Sequence, residues 1–140
     1  MEAKEILGLD VGAIRTGIAR ASNVARLAEP LMSVPTKDAI NTVRKYTSEH
    51  QVEAIVVGLP RNLSGEETKQ TQWIREWTDK AKQKLATPAY WQDEALTSEL
   101  AARKIQTSKF KHQNSDEHSL AAAIILQDFL DGAEADRMTV

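Results

Sequence analysis

The chain has 140 residues, the length of one ordinary domain and too short for the two lobes of a kinase or sugar-ATPase. Hydrophobic residues make up 41% and charged residues 27%, which excludes disordered, collagen-like and coiled-coil proteins. No apolar run reaches the roughly 20 residues of a membrane span, and no signal-peptide pattern precedes the first strand, so we expect a cytoplasmic protein without a membrane partner. The absence of Cys excludes disulfides, thiol catalysis and Cys-ligated zinc.

The net charge of −2 disfavours a nucleic-acid ligand, because phosphate contacts usually require a basic surface. Four acidic residues, however, lie within residues 128–140, where Arg137 is the only base. The rest of the chain is therefore close to neutral, which leaves room for a basic patch.

The first third of the chain predicts a hairpin, an edge strand and a helix. Two strand-like runs flank a turn, a third run contains Pro30, and a helical spacing of apolar residues follows. The ranges are 6–11, 16–19, 27–34 and 37–49. Thr36 or Asp38 is available to cap the helix.

The rest of the chain predicts two strands and three helices. The run A-I-V-V-G-L is typical of a central strand that is buried on both faces. The ranges are a strand at 52–59, a helix at 73–85, a strand at 88–92, a helix from Thr97 to about 105, and a helix at 118–130. We expect Trp73 and Trp77 in the core and a mobile, Lys-rich loop at 107–115.

This order of elements predicts an α/β fold, with a five-stranded mixed sheet and helices on both faces. We expect one domain over residues 1–131 and a polar tail over 132–140 that need not be ordered.

Sites in such sheets form at the carboxyl ends of parallel strands, where we expect Asp10 and Glu94. A charged Asp10 within I-L-G-L-D-V-G costs several kcal/mol if it is buried without compensation, which a cation or the amides of the Gly12 turn could supply. Glu94, considered alone, is better explained as a solvated strand end. If the two carboxylates converge at about 4 Å, they repel by roughly 4 kcal/mol at a dielectric near 20, which indicates shared protons or a bound metal.

Four segments in this order and spacing resemble the YqgF-type pre-16S rRNA nucleases, also described as Holliday-junction-resolvase-like proteins. They are L-G-L-D-V-G-A-I-R-T-G-I-A from Leu7, V-V-G-L-P-R-N-L-S-G from Val56, D-E-A-L-T-S from Asp93 and A-A-A-I-I-L-Q-D-F-L-D from Ala121. The resemblance runs from about Ile6 to Leu130. It implies an RNase H-like fold and metal-dependent hydrolysis of phosphodiester bonds.

Carried over residue by residue, the first two family carboxylates fall on Asp10 and Glu94. The third family carboxylate, an Asp on the last helix, falls on His118. Three alternatives follow: His118 is a ligand, Asp116 takes over from a displaced helix start, or the metal site is weakened. Asp116 could instead be only a helix cap, and an imidazole ligand would favour Mn²⁺ more than Mg²⁺.

Substrate contacts are implied at the first turn, by Gly12 and Arg15. Arg61 could contact a phosphate after the central strand, and Lys109 could do so from the Lys-rich loop, although a plain turn and a solvated loop explain them as well. A second departure from the family is Ala95, where an Arg is usual.

The resulting hypothesis is a nuclease that acts on precursor rRNA or branched DNA, in particular in 5′-end maturation of pre-16S rRNA. Asp10, Glu94 and His118, or Asp116, would hold one or two Mg²⁺ or Mn²⁺ ions. The alternatives are a Holliday-junction resolvase, which needs a symmetric dimer, and a non-catalytic nucleic-acid or ribosome-associated module; the sequence fits a monomer or a homodimer.

Overall fold

The computed structural model describes residues 3–60, 64–94 and 116–140. These residues form one six-stranded sheet and three α-helices. The elements are β1 Glu5–Val11, β2 Arg15–Ser22, β3 Glu29–Pro35, α1 Thr36–Glu49, β4 Val52–Pro60, α2 Lys69–Lys84, β5 Ala89–Glu94, α3 Glu117–Asp131 and β6 Met138–Thr139. A short 3-10 helix, Glu134–Asp136, precedes β6. Among the described residues, no helix is long and apolar enough to cross a membrane.

The strand order in the sheet is β3-β2-β1-β4-β5-β6. Strands β1, β4 and β5 are parallel, whereas β2 is antiparallel to β1 and to β3. The carboxyl ends of β1, β3, β4 and β5 therefore lie at one end of the sheet, which we call the carboxyl edge. Helices α1 and α2 follow β3 and β4 there, and α3 also starts over this edge.

Two hydrophobic cores lie on opposite faces of the sheet. One core joins the sheet to α3, and the other joins it to α1 and α2. Strand β1 alternates between them, because Ile6 belongs to the α3 core while Leu7, Leu9 and Val11 belong to the other. The predicted mixed sheet with helices on both faces is confirmed.

Helix α3 packs closely on the sheet because small residues line the contact. A Cβ atom added at Gly17 would lie 1.9 Å from the carbonyl oxygen of His118, and one at Gly8 would lie 2.7 Å from Leu126 Cβ. On the helix side, Ala122 is fully buried. The helix backbone thus occupies space that side chains would otherwise take.

The predicted strand count of five was one too low. Residues Met138 and Thr139 pair with Trp91 and Tyr90 in antiparallel register and form β6. Two residues are too few to produce an alternating pattern, so the sequence carried no strand signal. The segment 132–140, expected as a polar tail, therefore contains a 3-10 helix and a strand.

Two local predictions were wrong. Neither Thr36 nor Asp38 caps α1, whose N-cap is Pro35; Thr36 Oγ1 instead donates to the carbonyl of Gly12 at 2.6 Å. Trp73 is 38% exposed rather than in the core. The predicted helix from Thr97 and the loop at 107–115 lie outside the described residues.

Substituting Gly17 by Ala should destabilise the fold by about 2 to 4 kcal/mol, because the new Cβ collides with backbone that cannot rotate away. Gly58→Ala is the matched control, since its nearest contacts would be side-chain atoms of Ile125, Cδ1 at 2.6 Å and Cγ1 at 3.2 Å, which can move more easily than backbone. We expect that variant to stay within about 1 kcal/mol of the wild type. Urea unfolding measures both, and equal losses would contradict the packing argument.

Candidate active site

Asp10 and Glu94 lie on the same face of the sheet, at its carboxyl edge. Ile6 in β1 and Tyr90 in β5 both pack in the α3 core. Side chains alternate along a strand, so the residues four positions further on, Asp10 and Glu94, share that face. Both side chains are half-buried. The expectation that the two carboxylates reach one edge therefore agrees with the strand topology.

The strand register sets the distance between the Cα atoms of Asp10 and Glu94. Strand β4 lies between β1 and β5, with Leu9 opposite Val57 and Glu94 opposite Pro60. Glu94 is thus two residues closer to the edge than Asp10 and two strands away from it. Strand spacing and rise place the two Cα atoms roughly 12 Å apart. Side chains that extend from both strands can bring the two carboxylate groups closer together than the two Cα atoms.

The first turn of α3 lies beside Asp10. Gly17 is the register partner of Asp10, and the backbone of His118 packs on Gly17. Burial raises the pKa of Asp10, His118 opposes that shift, and Glu117 adds to it. Asp10 is therefore a carboxylate that the fold holds in surroundings unfavourable to its charge, one strand away from the backbone of His118.

Asp116 is the N-cap of α3. Its Oδ1 accepts a hydrogen bond from the backbone N–H of Ser119 at 2.8 Å, and its Oδ2 accepts one from the hydroxyl of Ser33. Burial acts to raise the pKa of Asp116, but the hydrogen bonds from Ser33 and Ser119, with the charge of His118, outweigh burial and lower it. The capping interpretation of Asp116 agrees with these contacts, and its catalytic role stays a prediction.

The turn between β1 and β2 is tightly braced. The N–H of Gly12 donates to the carbonyl of Arg15 at 3.0 Å, and a Cβ on Gly12 would lie 2.6 Å from that oxygen. Glycine is thus required here by the turn itself. The Arg15 guanidinium donates to Ser33, to Oγ at 2.9 Å and to the carbonyl at 3.0 Å.

The three helices of the described residues direct their N-termini to the carboxyl edge. A helix N-terminus carries a partial positive charge of about half an elementary charge and favours anions. Helix α1 begins directly after β3. In the first turn of α2, the hydroxyl of Thr71 donates to the carbonyl of Pro60, the last residue of β4, at 2.6 Å. The edge therefore combines carboxylates with backbone dipoles that attract phosphate.

The donor chemistry of the site fits a divalent cation, since two carboxylates and one imidazole are ligands of Mn²⁺ and Mg²⁺. Within 3–60, 64–94 and 116–140, no three Asp, Glu or His side chains already form a group that could hold a metal ion. The upward shift of the Asp10 pKa, caused mainly by burial, is the feature that a nearby positive charge would compensate. Cation binding here stays a prediction.

The structure adds one residue that sequence reasoning missed, Ser33, which contacts both Arg15 and Asp116. Its position depends on the pairing of β3 with β2, which carries an irregularity between Ile18 and Ala19. No local sequence pattern predicts this pairing of β3 with β2. The predicted phosphate contacts Arg61 and Lys109, and the family departure at Ala95, lie outside the described residues.

Comparison with protein families places the chain among known sequences. A family model described as "RuvX: Holliday junction resolvase" matches residues 4–132. A relative from Chloroflexus aggregans, named "Putative pre-16S rRNA nuclease", is 37% identical over 136 residues, which cover 94% of this chain and 96% of the relative. A relative of the same name from Orientia tsutsugamushi is 35% identical over 128 residues, 89% of this chain and 82% of the relative.

Solved structures show the same architecture. Thermus thermophilus RuvC in complex with a Holliday junction substrate superposes with a TM-score of 0.60 at 15% identity, covering 98% of this chain and 99% of that one. A second Thermus thermophilus RuvC structure gives a TM-score of 0.54 at 13% identity, covering 97% and 99%. At these identities the likeness concerns the fold, which is RNase H-like.

The raised pKa of Asp10 predicts that Asp10→Asn stabilises the protein at pH 7 when a chelator is present. Protonated Asp10 contributes stability that is complete below its unfolded pKa, 3.8, and is lost as the pH rises through the folded pKa. Asn remains neutral throughout, so we expect a gain on the order of 1 kcal/mol at pH 7 and none below pH 3.8. Urea unfolding across this pH range provides the measurement, and a less stable variant at pH 7 would refute it.

Proposed function

Because the chain belongs to the RuvX family, described as Holliday junction resolvase, we propose that it is a nuclease that hydrolyses phosphodiester bonds in structured nucleic acid. We further propose precursor 16S rRNA as its substrate, in 5′-end maturation. The names of relatives at 35% and 37% identity over most of the chain support this choice. Such a substrate implies a cytoplasmic location.

One observation carries the proposal: Asp10 and Glu94 lie on one face of parallel strands at the carboxyl edge, with the backbone of His118 packed on Gly17, the register partner of Asp10. Open α/β sheets bind ligands at this edge. Asp10 is half-buried on the face of the sheet that carries the apolar α3 core, and its pKa is raised by burial. Carboxylates kept in such surroundings at the edge of a sheet are typical of functional sites.

Asp10, Glu94 and His118 would together hold one or two divalent cations, Mg²⁺ or Mn²⁺. A cation bound there supplies activation of a water nucleophile and neutralises charge on the phosphate. Asp10 would hold the bound cation from β1, and Glu94 would do so from β5. His118 would contribute an imidazole ligand from the first turn of α3, which would shift the preference toward Mn²⁺.

The remaining groups of the edge would position the phosphate backbone. The N-terminus of α1 has no side-chain cap and directs its amides toward the edge. Arg15 lies on the same edge with its guanidinium held by Ser33. We assign phosphate contacts to Gly12 and Arg15 here, and to Arg61 and Lys109 from the sequence.

A second candidate function is cleavage of four-way DNA junctions, which the description of the family model favours. A junction presents two strands for symmetric cleavage, so this function needs a homodimer with two sites. Precursor rRNA processing needs only one site. The substrate therefore also predicts the oligomeric state.

We expect Asp10→Asn and His118→Ala to lower cleavage of labelled precursor RNA by at least about 100-fold and 10-fold, because both would remove a cation ligand. The assay includes a four-way DNA junction, Mg²⁺ or Mn²⁺, and a chelator control. Asp131→Asn is the matched control, since Asp131 ends α3 at the opposite end of the sheet and pairs with Gln127. Unchanged cleavage by folded Asp10→Asn would refute the assignment. RNA binding without any turnover would favour the non-catalytic module.

Divalent cations should stabilise the wild-type fold through binding to the native state alone. At a free Mn²⁺ concentration of ten times Kd, the expected gain is about 1.4 kcal/mol. Asp10→Asn should abolish this gain, and His118→Ala should reduce it more for Mn²⁺ than for Mg²⁺. His50→Ala is the control, because His50 stacks on Tyr46 at 3.9 Å, at the end of α1 away from the carboxyl edge. An equal Mn²⁺ response in Asp10→Asn would place the cation elsewhere.

A further inference from the structure

Three polar residues link the first turn of α3 to the sheet beside Asp10. Arg15 donates to Ser33 Oγ at 2.9 Å from Nη2 and at 3.3 Å from Nε. Ser33 in turn donates its hydroxyl proton to Oδ2 of Asp116. The other oxygen of Asp116 accepts the backbone N–H of Ser119 at 2.8 Å. These contacts connect β2, β3 and α3 in one continuous chain of hydrogen bonds.

These hydrogen bonds lie at the same level of the sheet as Asp10. Ser33 is the register partner of Gly17, and Gly17 is the register partner of Asp10. The three residues thus lie side by side across β3, β2 and β1. The backbone of His118 packs directly on Gly17. The link from Ser33 to Asp116 therefore holds the start of α3 over Gly17, on the strand next to Asp10.

A helix start needs such a link if it is to present one side chain accurately. The first turn of a helix lacks the backbone hydrogen bonds of its interior and frays more easily. Within the described residues, the Asp116 cap and the packing of His118 on Gly17 hold the first turn of α3 on the sheet. His118 lies in that turn, and a shift of about 1 Å at a reacting site can cost about 100-fold in rate.

We infer that Arg15, Ser33 and Asp116 form a positioning relay that holds the first turn of α3 on the sheet and so presents His118 to Asp10. The inference rests on the proposed function for its catalytic consequence. It assigns Asp116 to positioning, since both oxygens of its carboxylate are engaged, and it assigns the third ligand to His118. It also makes Arg15 part of the scaffold in addition to any contact with phosphate.

Two variants separate the relay from ordinary capping. Asp116→Ser keeps an N-cap side chain for Ser119, because Ser is as good a cap as Asp, but it is too short to reach Ser33. Ser33→Ala removes the bridging hydroxyl and leaves the cap intact. Ser33→Thr keeps the hydroxyl in a residue that strands favour, and it serves as the conservative rescue.

The first measurement is independent of metal and of activity. We expect amide hydrogen exchange at Ser119 and Leu120 to become about tenfold faster in Ser33→Ala and to return to the wild-type rate in Ser33→Thr. Circular dichroism and thermal unfolding check that each variant is folded. Thr68→Ala, which removes the cap of α2, is the control that should leave exchange in α3 unchanged. Unaltered exchange in Ser33→Ala would overturn the relay.

The second measurement follows Mn²⁺ by its paramagnetic broadening of histidine side-chain resonances. In the wild type we expect selective broadening of His118, with His50 as the internal reference. Ser33→Ala and Asp116→Ser should weaken this broadening and lower kcat by tenfold to a hundredfold, with KM within a factor of about two. Ser33→Thr should restore both.

The outcomes distinguish the relay from the proposed function. Wild-type broadening of His118 and wild-type kcat in Ser33→Ala and Asp116→Ser would overturn the relay while the nuclease stands. Binding of Mn²⁺ that spares His118 in the wild type would overturn its assignment as the third ligand. No Mn²⁺ binding and no cleavage, together with Ser33-dependent exchange, would refute the proposed function and support the relay as a structural link.

Discussion

The contact between the first turn of α3 and Gly17 is the one on which the candidate site depends. It brings the helix backbone to a distance at which no side chain fits on the strand. Because Gly17 pairs with Asp10, the same contact places the backbone of His118 one strand away from Asp10. Gly8 and Ala122 continue the close approach along the helix, so the position of the first turn is coupled to the packing of the whole α3 core.

The site conflicts with the stability of the fold that carries it. Asp10 is the last but one residue of β1 and directly follows four buried residues, Ile6–Leu9, and burial raises its pKa because the charged form loses solvation. His118 offsets only part of this cost and Glu117 adds to it, so the net shift of the pKa is upward. Residues kept in such surroundings are typical of functional sites, where binding of a ligand repays the loss.

Much of this arrangement follows from local sequence patterns, and the rest does not. The apolar runs and their alternation predict β1, β2, β4 and the position of Asp10 correctly, since burial of a strand face leaves a direct signal. Thr36 and Trp73 were misplaced because tertiary contacts decided their roles: Thr36 braces the Gly12 turn, and Trp73 lies on the exposed side of α2. The link from Ser33 to Asp116 joins residues 83 positions apart, which no single-sequence pattern specifies.

An acidic chain that acts on a polyanion must still present positive potential where the phosphate approaches. The described residues at the carboxyl edge include the carboxylates Asp10, Glu94, Asp116 and Glu117, which repel phosphate, and the bases Arg15, Lys37 and Lys69, which attract it. Helix N-termini offset part of the repulsion, each with about half an elementary charge. A divalent cation between Asp10 and Glu94 would supply the remainder, so the cation proposed for the chemistry would also be a condition for substrate binding.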